Sequence, residues 1–440
     1  MRFLFRKKWK NGKNYAEKLP WIVIQADLLE ARLGSSSSLG SRSSLGSRSS
    51  SPCPGPEGAA PCYQRWCGRL CLLRLAQFTL LLTVVAAAAH ALIASLTTRA
   101  LPPTPSPLHR PLLPRLSPAL LPEPAPSSLL DLQDFRFLHD AAETTCAPAR
   151  LYFVFLVHSR PDHFRQRQAI RATWGGLRVL EGGWAARTVF MLGEGGGGGG
   201  DAGGASGAGG AGGVKVGALV GLEARRHGDL VVGSFRDHYH NLTYKHVMAL
   251  RWAASRCRHA AFVVKADDDA FIDVPALKAL LDRTFSAQTP RRTLACHVLP
   301  QGTQPQRSGK WAVSAADYPW PEYPQYCAGL AYVATPDAAE ELSRAAQAGA
   351  TPRVWVDDVW VTGLLAEALG LQHHYLNLRY SYDHTEMAQW ASRARASLPP
   401  PYAFAHLDPA CPDWRPTLET LWRHALAARN ASAVTPATDR

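Results

Sequence analysis

An α/β domain behind a single membrane-crossing helix is the architecture this sequence predicts. From residue 151 onward, apolar runs of strand length alternate with longer segments of helical periodicity. Two apolar runs end in adjacent aspartates, and ligands of open α/β sheets gather at the carboxyl ends of strands. Far upstream, one 22-residue segment carries no formal charge if His90 is neutral. The chain of 440 residues, 46% hydrophobic, has room for one large domain or two ordinary ones.

Residues 1–74 carry 13 Lys+Arg against 4 Asp+Glu, so the high isoelectric point belongs mostly to this tail. The remainder of the chain is only modestly basic, and it holds no RNA- or DNA-binding module. A basic, Ser/Gly/Arg/Pro-rich tail suits an anionic lipid surface, and most of it is expected to be disordered. Residues 75–96, "LAQFTLLLTVVAAAAHALIASL", match the length of a bilayer-spanning helix. Arg65, Arg69 and Arg74 precede the segment and only Arg99 follows closely, which keeps the N-terminus cytoplasmic in a type II signal-anchor topology. A buried core helix is the alternative, but the proline-dense run that follows and the lack of partner helices favour the membrane. Cys67 and Cys71 lie at the membrane edge, where acylation is an option and free thiols are the default. Residues 97–130 then form a Pro-rich stem, and the folded lumenal domain is expected over 131–425, leaving 426–440 as a tail.

Within that domain "LYFVFLVHS" (151–159) is a strand buried on both faces. A helix follows, with Ser159 and Asp162 at capping-box spacing, Pro161 in its first turn, and Arg167 and Arg171 on one face. "RTVFML" (187–192) is a second buried strand. The glycine run over 193–213 lacks a Gly-Lys-Ser/Thr ending and fixed spacing, so it is a loop expansion rather than a phosphate loop. "NLTYKHVMALRWAASRC" is an amphipathic helix with Val247, Leu250, Ala254 and Cys257 at helical spacing. Past the anchor lie Cys146, Cys257, Cys296, Cys327 and Cys411, which in an oxidising lumen leaves one unpaired and the connectivity open. Asn241 and Asn430 head N-glycosylation sequons.

The third buried strand opens "FVVKADDDAFID" (262–273) and runs into Asp267, Asp268 and Asp269. In an extended backbone Asp267 and Asp269 point to one side and Asp268 to the other. Two carboxylates on one side make a hard-oxygen site for Mg²⁺ or Mn²⁺, and a metal relieves their repulsion. The structural alternative is an acidic turn leading to a helix opened by Asp273 and Pro275. An EF-hand is excluded by the missing glycine and glutamate. In "RVWVDDVWVTGLLAEALG" Asp357 and Asp358 end a short apolar strand and open a helix with Val361, Leu364, Leu365 and Leu369 on its apolar side. Such a carboxylate is an N-cap, or, because tandem charges raise one proton affinity, a general base.

"RQRQAIRATWG", "HGDLVVGSFRDHYHNLTYKHVMALRWAASRC", "FVVKADDDAFID", "YPQYCAGLAYVAT" and "VDDVWVTG" resemble, in order, the conserved blocks of the β-1,3-glycosyltransferases of glycosyltransferase family 31. The resemblance covers roughly residues 146–390. It implies a nucleotide-sugar transferase domain of the GT-A type with a Rossmann-like mixed sheet, in a Golgi membrane protein. It also implies Mn²⁺ at the triple aspartate, held by Asp267 and Asp269 with His384 of "SYDHTEMAQW" as the late histidine. Asp268, Lys265, Arg167 and Arg171 would then meet the donor, UDP-galactose or UDP-GlcNAc. Asp358 would be the base, with Asp357 at the family's glutamate position. Tyr326, Gly329, Asp357 and Trp360 are candidates to line the site of the acceptor glycan, on a glycoprotein or glycolipid. The implied reaction is an inverting transfer of a hexose, galactose favoured over N-acetylglucosamine, to a 3-hydroxyl. A non-catalytic Golgi chaperone or glycan-binding relative is the rival, and its expected signature, a lost acidic motif, is missing.

Overall fold

A computed structural model describes residues 113–195, 211–349, 351–395 and 398–434, side chains at 211–214 and 430–434 excepted. The basic tail, residues 75–96, residues 97–112 of the stem, most of the glycine run and the side chain of Asn430 lie outside them. Among the described residues, no helix is long and apolar enough to cross a membrane.

The sheet is mixed and runs β1-β4-β3-β2-β5-β8-β7-β9. Its strands are β1 (Phe137–His139), β2 (Leu151–His158), β3 (Ala185–Glu194), β4 (Leu230–Arg236), β5 (Phe262–Asp267), β7 (Thr293–Leu299), β8 (Tyr326–Ala334) and β9 (Gln372–Tyr375). β4, β3, β2 and β5 are mutually parallel, so their carboxyl ends share one rim. β8 runs antiparallel to both β5 and β7, which brings its amino end and the carboxyl end of β7 to that same rim. A small second sheet joins β10 (Tyr380–Ser381), β11 (Phe404–His406) and β6 (Ala270–Ile272) directly after the triple aspartate. Helices cover both faces of the large sheet, which is why β2 is buried at every position and alternation is absent from it.

Several expectations shift. The helix after β2 spans Phe164–Ala172, and no side chain caps it: Ser159 is turned toward Asp268 and Asp162 pairs with Arg160. A helix over Ala211–His227 follows the glycine run and takes its last residues. Residues 351–356 form no strand, and Asp357 emerges from a loop into a π-helical segment, Val359–Leu365. The packed domain also begins before 131. Leu121 and Leu129 are buried, Leu116 donates its N–H to the Ala368 carbonyl, and Arg251 and Arg344 bind carbonyls of residues 121–128. Around a 3-10 turn at Pro118–Leu120 the proline-rich backbone leaves carbonyls free for arginine donors, and Leu121 and Leu129 pack inward while Leu120 stays exposed. At the other end, the last helix continues to Val434.

Disulfides join Cys146 to Cys257 and Cys296 to Cys327, and Cys411 is free. The first closes a loop of 111 residues between the entry to β2 and the end of helix Leu242–Arg256. Replacing both Cys146 and Cys257 with serine should lower the unfolding free energy by about 2–5 kcal/mol, read as the urea midpoint of the full-length chain. An unchanged midpoint would mean that this crosslink does not constrain the unfolded chain.

Candidate active site

β5 delivers Lys265 and Asp267 on one side of the strand, as period two requires, and the Lys265 ammonium, itself buried, donates to the Asp267 carboxylate and to the Gly329 carbonyl on β8. Burial opposes the lysine's charge, but Asp267, Asp357 and Asp358 raise its proton affinity above the ordinary value. Asp268 and Asp269 form the turn between β5 and β6. Asp268 points elsewhere, its Oδ2 accepting from Ser159 Oγ at 2.6 Å and lying 2.9 Å from His163 Nδ1. Asp269 Oδ2 lies 3.4 Å from His406 Nε2 at the end of β11. Its Oδ1 is buried without a hydrogen-bond partner. Burial, and the charge of Asp269, push Asp267 up to about 7 against the pull of Lys265.

These side chains fit a divalent metal. A buried carboxylate oxygen of Asp269 with no donor in reach and the adjacent His406 imidazole are ligand types that Mn²⁺ takes, with the charge of Asp267 close by. Sequence reasoning passed over His406. His384 groups elsewhere: its Nε2 lies 3.0 Å from Asp413, its Nδ1 is buried without a hydrogen-bond partner, and with Asp413 and Cys411 it forms a separate group of potential metal ligands among the described residues. Burial disfavours charge on His406, but Asp269 raises its proton affinity overall.

Asp357 and Asp358 divide their labour. Asp357 Oδ2 meets His246 Nδ1 at 2.8 Å, and His246 Nε2 meets the Tyr332 hydroxyl at 2.6 Å. A carboxylate only accepts, so the ring proton sits on Nδ1 and the tyrosine donates to Nε2. Burial works against a charged Asp357, yet the bond to His246 and the nearby Lys265 hold it below the usual carboxylate range. Asp358 has no such partner. Its Oδ1 accepts the Val359 backbone N–H, and burial together with the charge of Asp357 pushes it up to about 7. Two neighbouring carboxylates held apart in this way leave one fixed as an anion and the other poised to take a proton near neutrality.

Asp358 and Lys265 meet at Gly329. A Cβ there would lie 3.2 Å from Asp358 Oδ2, so glycine keeps the space before that carboxylate open while its carbonyl holds Lys265. Tyr326 is nearly buried, with burial first and Asp358 next in raising its pKa. Tyr382, more exposed, has its pKa raised by burial and then by Asp358 and Asp267. Trp360 is a correction. At 2% exposure its indole donates to Thr351 Oγ1 within the core and lines no open site. Asp357 is likewise committed to His246.

Arg167 and Arg171 do share a helical face, but it turns inward. Arg167, at 0% exposure, donates from Nε and Nη2 to Glu223 and from its remaining N–H groups to Ser159 Oγ and the carbonyls of Arg160 and Pro161. Arg171 binds Glu223 and Asp229. A guanidinium has five donors, and those of Arg167 have internal partners, so direct phosphate contact is replaced by support of Asp268 through Ser159. Removing one partner of a buried pair leaves an uncompensated charge. Glu223→Ala should therefore cost about 3–5 kcal/mol of stability, measured by denaturant titration, and a loss below about 1 kcal/mol would show that Asp229 and the carbonyls suffice. The Asn241 side-chain amide donates to the Arg236 carbonyl, and the threonine of its sequon, Thr243, is buried.

A sequence model of the galactosyltransferase family matches residues 165–377. The chain is 36% identical over 240 residues to the Homo sapiens acetylgalactosaminyl-O-glycosyl-glycoprotein beta-1,3-N-acetylglucosaminyltransferase, covering 54% of this chain and 58% of that protein. It is 34% identical over 240 residues to beta-1,3-galactosyltransferase 5 of Gorilla gorilla gorilla, covering 54% and 73%. With lactosylceramide 1,3-N-acetyl-beta-D-glucosaminyltransferase A of Danio rerio it shares 31% over 260 residues, 58% of this chain and 64% of that protein. A solved apo structure of the WbbM bifunctional glycosyltransferase aligns at TM-score 0.31 and 10% identity over 63% of this chain and 51% of that chain, a likeness too low to argue from.

Proposed function

This chain belongs to the galactosyltransferase family, and from that premise we propose that it is an inverting β-1,3-glycosyltransferase of the GT-A type. It moves a hexose from a UDP-sugar to the 3-hydroxyl of an acceptor glycan on a glycoprotein or glycolipid. The observation that carries this reading is the split carboxylate pair, Asp357 fixed by His246 and Asp358 raised to about 7, beside the Asp267–Asp269–His406 cluster.

Asp358 accepts the proton of the acceptor hydroxyl as its oxygen bonds to the anomeric carbon and the bond from that carbon to the UDP oxygen breaks. UDP leaves with that electron pair, and the proton passes from Asp358 to solvent afterwards. Direct displacement needs one carboxylate, unlike the paired acid and base of glycoside hydrolysis. Asp267, Asp269 and His406 would hold Mn²⁺, which supplies Lewis-acid stabilisation to the diphosphate. Lys265 holds Asp267, and Ser159 and His163 hold Asp268. Both disulfides suit an oxidising compartment, and residues 75–96 with their basic flank suit a type II anchor in the Golgi membrane.

Galactose is the favoured donor sugar, and the human relative named as an N-acetylglucosaminyltransferase keeps UDP-GlcNAc as the second reading. The test is UDP release by the full-length chain in detergent with Mn²⁺, each UDP-sugar in turn and a panel of acceptor glycosides. Release with UDP-galactose is expected, release with UDP-GlcNAc alone reassigns the sugar, and silence with every donor overturns the transferase reading.

A further inference from the structure

Trp174, Trp252 and Trp360 are fully or almost fully buried in the core. Tyr239, Trp311 and Trp355 differ, for all three are half-buried and gathered in one place. Tyr239 stands in the 3-10 turn just after β4, and Trp311 in the loop between β7 and β8. Trp355 stands two residues before Asp357. The parallel order of β4, β3, β2 and β5, with β7 running in the same direction, brings the first two loops to the rim where β5 ends in Asp267.

The contacts agree with that placement. The Tyr239 and Trp355 rings meet edge to face at 5.7 Å, and exposed His240 lies 4.4 Å from the Trp355 ring. The Trp355 indole donates to the Ala312 carbonyl, tying the two loops together. Exposed Lys310 places its ammonium 4.9 Å from the Tyr239 centroid and 5.5 Å from that of Trp311. Burial raises the pKa of the Tyr239 hydroxyl, a hydrogen bond to Trp311 opposes that rise, and the charges of Asp357, Asp358 and Asp267 add to it.

Aromatic rings left half-wet beside reactive carboxylates present flat apolar faces next to hydrogen-bonding groups. A pyranose has the complementary form, with a face of C–H bonds and a rim of hydroxyls. We propose that Tyr239, Trp311 and Trp355 form the platform on which the acceptor sugar stacks, with Lys310 and His240 holding its hydroxyls at the outer edge and Asp358 at the inner one. This rests on the transferase reading for its turnover test, and on the platform alone for its binding test.

Trp311→Ala and Lys310→Ala change half-buried and exposed loop positions, and Tyr239→Phe serves as a conservative third. In the full-length chain, the two alanine variants should raise the acceptor KM about tenfold or more, the loss of about one stacked or charge-assisted hydrogen-bonded contact. Donor KM and the slow hydrolysis of UDP-sugar by water should stay within about twofold, since neither uses the platform. Saturation-transfer NMR with methyl β-galactoside, methyl β-N-acetylglucosaminide and methyl α-N-acetylgalactosaminide provides the second readout. Glycoside binding lost in the alanine variants supports the platform even if the wild type turns over no donor. An unchanged acceptor KM, or unchanged glycoside binding in both alanine variants, overturns it.

Discussion

Asp358→Asn lowers transfer by about 10²–10⁴-fold and leaves donor binding intact. The substitution keeps the side-chain oxygen that accepts the Val359 N–H, so the start of the π-helical segment is retained while the proton acceptor is lost. The measurement is kcat by UDP release alongside UDP affinity by calorimetry, and parallel loss of both would make the residue structural. The same site fixes the pH dependence. A base must be deprotonated to act, and Asp358 is held up at about 7, so kcat should fall about tenfold per pH unit below that value. His246→Gln removes the imidazole that keeps Asp357 anionic, and a shift of this acidic limb would separate that role from packing.

Asp269→Ala, or removal of divalent metal by chelation, should cost about 10³-fold in transfer, the equivalent of the several kcal/mol that a Lewis-acid ion supplies. Mn²⁺ binding followed by the loss of the free-ion electron paramagnetic resonance signal gives a readout independent of turnover. His406→Ala should weaken that binding more than His384→Ala, since His406 lies beside Asp269 while His384 groups with Asp413 and Cys411. The reverse pattern would return the metal to His384.

Those two histidines show where the sequence is legible. β2, β3 and β5 stand out as continuous apolar runs because the sheet is covered on both faces. β6, β10 and β11 are two or three residues long, too short for any periodicity, and β11 is the strand that brings His406 to Asp269. The acidic motifs are contiguous and therefore visible. Their partners His246, His163 and His406 lie on other elements, and only the packing of those elements makes them neighbours. Arg167 and Arg171 illustrate the converse: i, i+4 spacing gives a shared face, but the sense of that face depends on Glu223 and Asp229 more than fifty residues away. The helix over Ala211–His227 is interrupted by glycines, which dilute the helical signal next to a glycine run.

The bond between Cys296 and Cys327 closes a ring around the loop that carries Lys310 and Trp311. A loop tied at its base surrenders much of its conformational freedom before any sugar arrives, so less entropy remains to be lost on docking. Opening that ring would loosen the acceptor's half of the site while β5 and its aspartates keep their frame.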